Sequence, residues 1–97
     1  MINLSPKDPS EIIPITFDFS SLVATVTSAT VVVLDKTGTD VSGSMLSGSK
    51  TLSGATVVQK IQAGSAGQSY RIKVTADGTE GRFVLIASLP VELAENS

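Results

Sequence analysis

The chain has no cysteine, no histidine and no tryptophan among its 97 residues. Without cysteine there is no disulfide framework and no thiol chemistry. Without either cysteine or histidine the usual zinc, haem and transition-metal ligand sets cannot be built. Nucleophile–imidazole arrangements are excluded for the same reason. Charge is also scarce: charged side chains make up 16% of the residues, against about 25% in ordinary globular domains. Such a surface takes its polarity from Ser, Thr and Gly, which suits a protein held in lasting contacts. The net charge of −2 argues against nucleic acid as the main partner. No apolar run is long enough to span a membrane as a helix. The opening "MINLSPKDPSEIIP" lacks the basic start and apolar centre of a secretory signal, so synthesis in the cytoplasm is expected and the "NLS" at Asn3 is not read as a glycosylation site.

What is present is alternation. Ile13, Ile15, Phe17 and Phe19 alternate with Pro14, Thr16 and Asp18, the pattern of a half-buried strand, with Pro14 placing it at a sheet edge or near a strand start. A second strand is expected over 27–35, "TSATVVVLD", with apolar residues on both faces at its centre. The Gly/Ser/Thr-rich stretch 37–54 holds enough apolar residues for one or two short strands, and 55–62, "ATVVQKIQ", reads as another. Tyr70, Ile72, Val74 and Ala76 share one face of the next strand, and Arg71, Lys73 and Thr75 the other. "ADGTEG" (76–81) is a turn carrying the Asp-Gly hairpin signal. "RFVLIASL" (82–89) returns as a strand apolar enough to be covered on both faces, with Pro90 ending it.

No amphipathic helix of ten or more residues is visible. The length allows one domain. The fold expected is all-β, an immunoglobulin-like antiparallel β-sandwich of about seven short strands, with a small β-barrel as the alternative. The boundaries read as a leader over 1–11, the sandwich over 12–90 and a loosely held tail over 91–97. The expected core comprises Ile15, Phe17, Val31, Val33, Ile61, Tyr70, Ile72, Val74, Phe83 and Leu85.

Tyr70 is the only tyrosine. It stands between the small residues 63–67 and a strand. In sandwiches of this class a tyrosine near the start of a late strand turns its hydroxyl back to the backbone upstream and pins the crossing between sheets. A backbone carbonyl of the corner is the partner expected here.

Several motifs tempt. "GSMLSGSKT" (43–51) approaches a phosphate-binding loop, but Ser49 separates Gly48 from Lys50 and no strand–helix pair flanks it. "SGSK" and "KTG" match fragments of penicillin-recognising enzymes in reversed order, without the third element. Asp35 with Asp40, and Asp77 with Glu80, flank turns; as a glycosidase pair or a calcium site they lack converging partners, and solvated turns are the better reading. No catalytic, cofactor-binding or metal-binding residue is therefore assigned, and the chain is not read as an enzyme. The charge pattern is less bland. Lys50, Lys60, Arg71 and Lys73 fall in a stretch without acids between Asp40 and Asp77, while acids gather toward both ends. These four residues are the candidates for an inter-subunit contact of the head-to-tail kind that closes rings.

"DPSEIIPITFDFSSLV" followed by "VVQKIQAGSAGQSYRIKVTADGTEGR" resembles small structural proteins encoded in the morphogenesis clusters of tailed bacteriophages and prophages, of the fibre–tail adaptor or head–tail type. The shared elements are Asp8-Pro9, Phe17 to Ser20, the corner Gly64 to Tyr70, and Gly81-Arg82. Gln59–Lys60 stand where an aromatic is expected in the strand before the corner. The resemblance covers about residues 8–90. It implies a non-enzymatic virion component made in the bacterial host, with other virion proteins as partners, a homo-oligomeric ring as one form of assembly, and no cofactor, nucleic acid or membrane. The rival is a β-sandwich binding module of the adhesin or carbohydrate-binding type. Such modules present exposed aromatics, and one tyrosine and three phenylalanines leave few to present.

Overall fold

The computed structural model describes residues 2–79 and 81–93. Seven strands and one helical turn follow the chain as β1 (Ile2–Asn3), β2 (Ile13–Asp18), β3 (Val26–Leu34), α1 (Ser42–Met45), β4 (Leu46–Ser53), β5 (Thr56–Ile61), β6 (Gln68–Gly78) and β7 (Gly81–Val91). They form two sheets, a four-stranded one in the order β1-β7-β6-β3 and a three-stranded one in the order β2-β5-β4. The pairings β2–β5, β4–β5, β3–β6 and β6–β7 are those of strands B–E, D–E, C–F and F–G in an immunoglobulin-like sandwich. The sheets do not close into a barrel.

The period-2 patterns bury one face of each sheet. Phe17, Phe19, Val33, Met45, Val57, Ile61, Ile72, Val74, Leu89 and Val91 are almost wholly buried between the sheets. Of the expected core, Phe83 and Leu85 are only half-buried. They sit in β7 at a sheet edge, where β1 pairs with no more than Ala87 and Ser88.

Three features depart from the sequence reading. The sandwich is not wholly antiparallel: β1 runs parallel to β7, and Lys7 continues that pairing opposite Val91. Ile2, Asn3 and Lys7 before residue 12, and Val91 after residue 90, are therefore built into the sheet, and Val91 is fully buried. Pro90 does not end β7; it pairs with Ser69 inside the strand. Its carbonyl accepts from Lys7 N–H at 3.0 Å. In an extended strand the N–H and C=O of one residue point the same way, so the donor that proline lacks faces the N-terminal segment and no β6 ladder bond is lost. The hairpin turn is tighter than "ADGTEG" suggests, because the ladder runs on to Gly78↔Gly81 and the Asp-Gly pair lies within β6.

Candidate functional site

Two surfaces carry the elements singled out in the sequence: the corner at one end of the sandwich and the outer face of the four-stranded sheet. At the corner the backbone turns through Ala63 (φ 57) and Gly64 (φ 93). A Cβ on Gly64 would lie 2.9 Å from Val91 Cγ2 and 3.2 Å from Met45 Cε, so glycine is needed for both conformation and space. The Ser65 N–H donates to the Tyr70 hydroxyl oxygen at 2.9 Å. The phenol thus meets the backbone five residues upstream, but as an acceptor from an amide and not as the donor to a carbonyl that the sequence suggested. The free carbonyl of the corner has another partner. Lys7, wholly shielded from solvent, donates from Nζ to Ala63 O at 2.7 Å and to Asp8 O at 2.8 Å. Burial holds the Lys7 ammonium below its ordinary pKa, an effect that the nearby Glu11 and Asp8 carboxylates oppose. A non-glycine residue in the left-handed region is disfavoured by about 1–2 kcal/mol, and the charge-assisted bond from Lys7 falls on that residue's carbonyl.

The leader is a self-contained turn. Glu11 N–H donates to Asp8 O, the Asp8 carboxylate accepts from Ser10 N–H, and Glu11 Oε1 accepts from Asp8 N–H at 2.7 Å. The Glu11 bond is the returning half of a capping box, while the Asp8 carboxylate takes the amide one residue earlier, at Ser10. Asp8-Pro9 and the Gly64–Tyr70 corner, far apart in sequence, are thereby joined through Lys7.

The other motif elements are also structural. Phe17 and Phe19 enter the core while the Asp18 carboxylate accepts from Ser20 N–H at 2.8 Å. Gly81 adopts φ 139, and Arg82 beside it pairs Nε with Asp77 Oδ1 at 2.6 Å across the hairpin. Gln59, buried in β5, donates from Nε2 to Ser47 O, Gly48 O and Lys60 O where the β4 ladder is interrupted. An aromatic there would leave those carbonyls without this donor.

The carboxylates considered for acid–base or calcium chemistry are committed to their own loops. Asp35 Oδ1 accepts from Thr37 and Thr39 amides and the Thr37 hydroxyl, and Asp40 Oδ1 from Ser42 N–H and Oγ–H. With Asp8 and Asp18 they share one spacing, Asp-x-Ser/Thr, the signature of side-chain-capped turns. These bonds lower the pKa of Asp18, Asp35 and Asp40, led by the hydroxyl partner in each case. Glu80 lies outside the described residues. Among the described residues no group of three or more potential ligands could hold a metal ion. A cleft of about 560 Å³ opens beside the corner, lined in part by Asp35, Lys36, Met45, Ser65 and Tyr70. Its carboxylate and phenol are both engaged, so it presents no converging acid–base pair.

The four basic residues do not form one patch. Lys60 points outward from β5 in the three-stranded sheet, and Lys50 is exposed on β4 of the same sheet. Arg71 and Lys73 point outward from β6 in the other sheet, so the structure brings only these two together. They lie in rows fixed by the register: Leu34–Arg71–Ser88 and Val32–Lys73–Ile86, followed by Thr30–Thr75–Val84. On this outer face Val84 is 45% and Ile86 37% exposed. The strand expected to be covered on both faces is thus open on one. A notch of about 400 Å³, lined by Ile2, Val84, Leu85 and Ile86, runs along its edge.

Compared with known families, residues 7–91 match the one described as podophage GP4 fiber-tail adaptor protein gp77. The chain belongs to this fibre–tail adaptor family. The matched span begins and ends on two residues that bridge each other, Lys7 and Val91. Membership makes the chain a phage tail adaptor-type structural protein and a virion component. No curated protein matches it.

Proposed function

We propose that this adaptor has no catalytic role and joins the fibre to the tail through protein–protein contacts made by the outer face of its four-stranded sheet. One observation carries the reading: Val84 and Ile86 stand exposed beside Arg71 and Lys73 on a face whose opposite side is the sandwich core. Outer faces of solvated sandwiches are normally polar, and contiguous exposed apolar surface marks interaction sites. The three-stranded sheet offers less, since its outward residues on β5 are Thr56, Val58 and Lys60 and β4 is mostly Ser, Gly and Thr. An adhesin or sugar-binding role is not favoured, because Tyr70, Phe17 and Phe19 are buried and Phe83 half-buried.

The test is co-sedimentation of the labelled chain with tails that lack their own copy, comparing wild type with Val84→Ser/Ile86→Ser. Both side chains point away from the core, so the variant keeps its fold. Binding should fall at least tenfold. Binding equal to wild type would reject this face as the contact.

A further inference from the structure

Resting on the reading that β7 carries part of the docking surface, we infer that the free edge of this strand, residues 81–86, takes up an extended segment of a neighbouring tail protein. That segment joins the sheet as an added β-strand, apolar on both of its faces.

The direction of hydrogen bonding along β7 is fixed at its far end. Ser88 O accepts from Leu4 N–H at 2.9 Å and Pro90 O from Lys7 N–H at 3.0 Å, while Val91 O accepts from Gly67 N–H on the β6 side. The register of β6 on β7 runs without a shift from Val91 to Gly81. Backbone groups alternate in direction along a strand, so the N–H and C=O of Arg82 and Val84 point away from β6, as does Ile86 N–H. β1 begins at Ile2, opposite Ala87, and among the described residues no strand pairs with this edge over 81–86. Such a row of outward groups recognises an extended backbone.

Sheet edges are normally blunted against such pairing, and the other edges of this sandwich are. β2 carries Pro14, and β4 carries Lys50 and a break in register between Ser47 and Thr51. β3 is met at both ends, where Val26 N–H donates to Gly54 O, Val41 N–H to Val33 O and Val33 N–H to Ser42 Oγ. The span 81–86 has no proline, lysine or shift in register, and its one charge, Arg82, is held by Asp77.

The side chains along the edge define the occupant. Phe83 and Leu85 are half-buried on the inner side, Val84 and Ile86 are exposed on the outer side, and Ile2 closes the notch at one end. A strand laid here covers both pairs, so its own residues are apolar on both faces. The open edge extends about 20 Å, which makes the segment short. The other edges of a second copy are blunted, which leaves that copy only its own β7 edge. Such a contact would be two-fold and join like to like, whereas a fiber-tail adaptor joins unlike chains.

Proline at position 84 isolates the edge. It removes an outward N–H and no bond to β6, as Pro90 does at an equivalent position of the same strand. Val84→Ala trims the side chain and keeps the N–H. In co-sedimentation with tails that lack their own copy, Val84→Pro should bind at least tenfold more weakly than Val84→Ala, with both unfolding cooperatively. Hydrogen exchange resolved to single amides gives a second measurement on wild type. In the free chain Arg82, Val84 and Ile86 should exchange faster than Phe83 and Leu85, whose amides face β6; on tails the three should slow at least tenfold. The inference is overturned if folded Val84→Pro binds as Val84→Ala does, or if the three amides exchange as fast on tails as in the free chain. Wild type that dimerises alone with these amides protected would also overturn it, by making a second copy the occupant. An overturned edge with binding still lost in Val84→Ser/Ile86→Ser leaves the docking face standing without an added strand. Binding lost in Val84→Pro and kept in the serine variant supports the edge and rejects the face.

Discussion

Replacing Gly64 with alanine should destabilise the fold more than any other single methyl added at a glycine of the corner. Two terms add. At φ 93 the residue lies beyond the centre of the left-handed region, where an L side chain costs about 1–2 kcal/mol. The new methyl would also stand 2.9 Å from Val91 Cγ2, 3.2 Å from Met45 Cε and 3.4 Å from Tyr70 Cε2. Met45 can withdraw its terminal methyl. Val91 cannot, because it is fully buried and its carbonyl holds Gly67 N–H at 2.8 Å. Overpacking of this kind costs roughly 1–3 kcal/mol. Alanine gives back about 0.4–1 kcal/mol by restricting the unfolded chain. The net loss is about 2–4 kcal/mol, a large share of the 5–15 kcal/mol typical of a domain. At about 4–8 °C per kcal/mol for a chain of this size, Tm should fall by roughly 10–30 °C. Urea denaturation followed by circular dichroism gives the free energy directly, with an unchanged slope expected. Gly43→Ala is the matched control. Nothing lies within 4 Å of its added methyl and its φ is not positive, so its effect should stay within about 1 kcal/mol. A Gly64→Ala loss under about 0.5 kcal/mol would refute the left-handed, close-packed corner.

Tyr70→Phe removes the acceptor of Ser65 N–H; because Ser65 is itself exposed and water can partly replace the phenol, the loss should be about 1 kcal/mol by equilibrium denaturation, and no measurable change would mean that this bond contributes nothing. Asp18, Asp35, Asp40 and Asp77 all have folded-state pKa values below the unfolded 3.8. Their contribution is complete above that value and is lost as pH falls through the lower folded values, so Tm should hold steady from neutral pH to about pH 5 and drop below 3.8; a flat acid limb would contradict these bonds. Lys7 acts in the opposite range. Its folded pKa lies below 10.5, so the native state releases its proton first and stability should rise as pH climbs from the folded value toward 10.5. Relative to Lys7→Met, wild type should gain stability over that window, and parallel pH profiles of the two would refute the burial of the ammonium.

Much of this architecture is written in local pattern. The alternation of Tyr70, Ile72, Val74 and Ala76, and of Ile15 and Phe17, marks inward faces because side chains on a strand alternate whatever it pairs with. The small residues before Tyr70 place the corner for the same local reason. Lys7 was not legible. In a Pro-, Asp- and Ser-rich leader a lysine reads as solvated, and its burial depends on a carbonyl 56 positions away. The direction of the Tyr70 hydrogen bond was hidden because Lys7 already holds the carbonyl. Lys60 and Lys73 seemed able to act together, yet β5 and β6 belong to different sheets, and membership of a sheet is not encoded in the period of a strand. The open face of β7 departs from the sequence reading for a physical reason: apolar residues on both sides of a strand suit a cover on each side, and the chain itself supplies only the inner one.

The central claim is that this adaptor meets its tail partners through the outer face of the four-stranded sheet. It is tested most directly by an electron cryo-microscopy map of the assembled tail, at a resolution that separates strands. Val84, Ile86, Arg71 and Lys73 should lie under density from a neighbouring chain, with the outward residues of β5 facing solvent. A map in which the adaptor is held through the three-stranded sheet, with Val84 and Ile86 open to water, would contradict the claim.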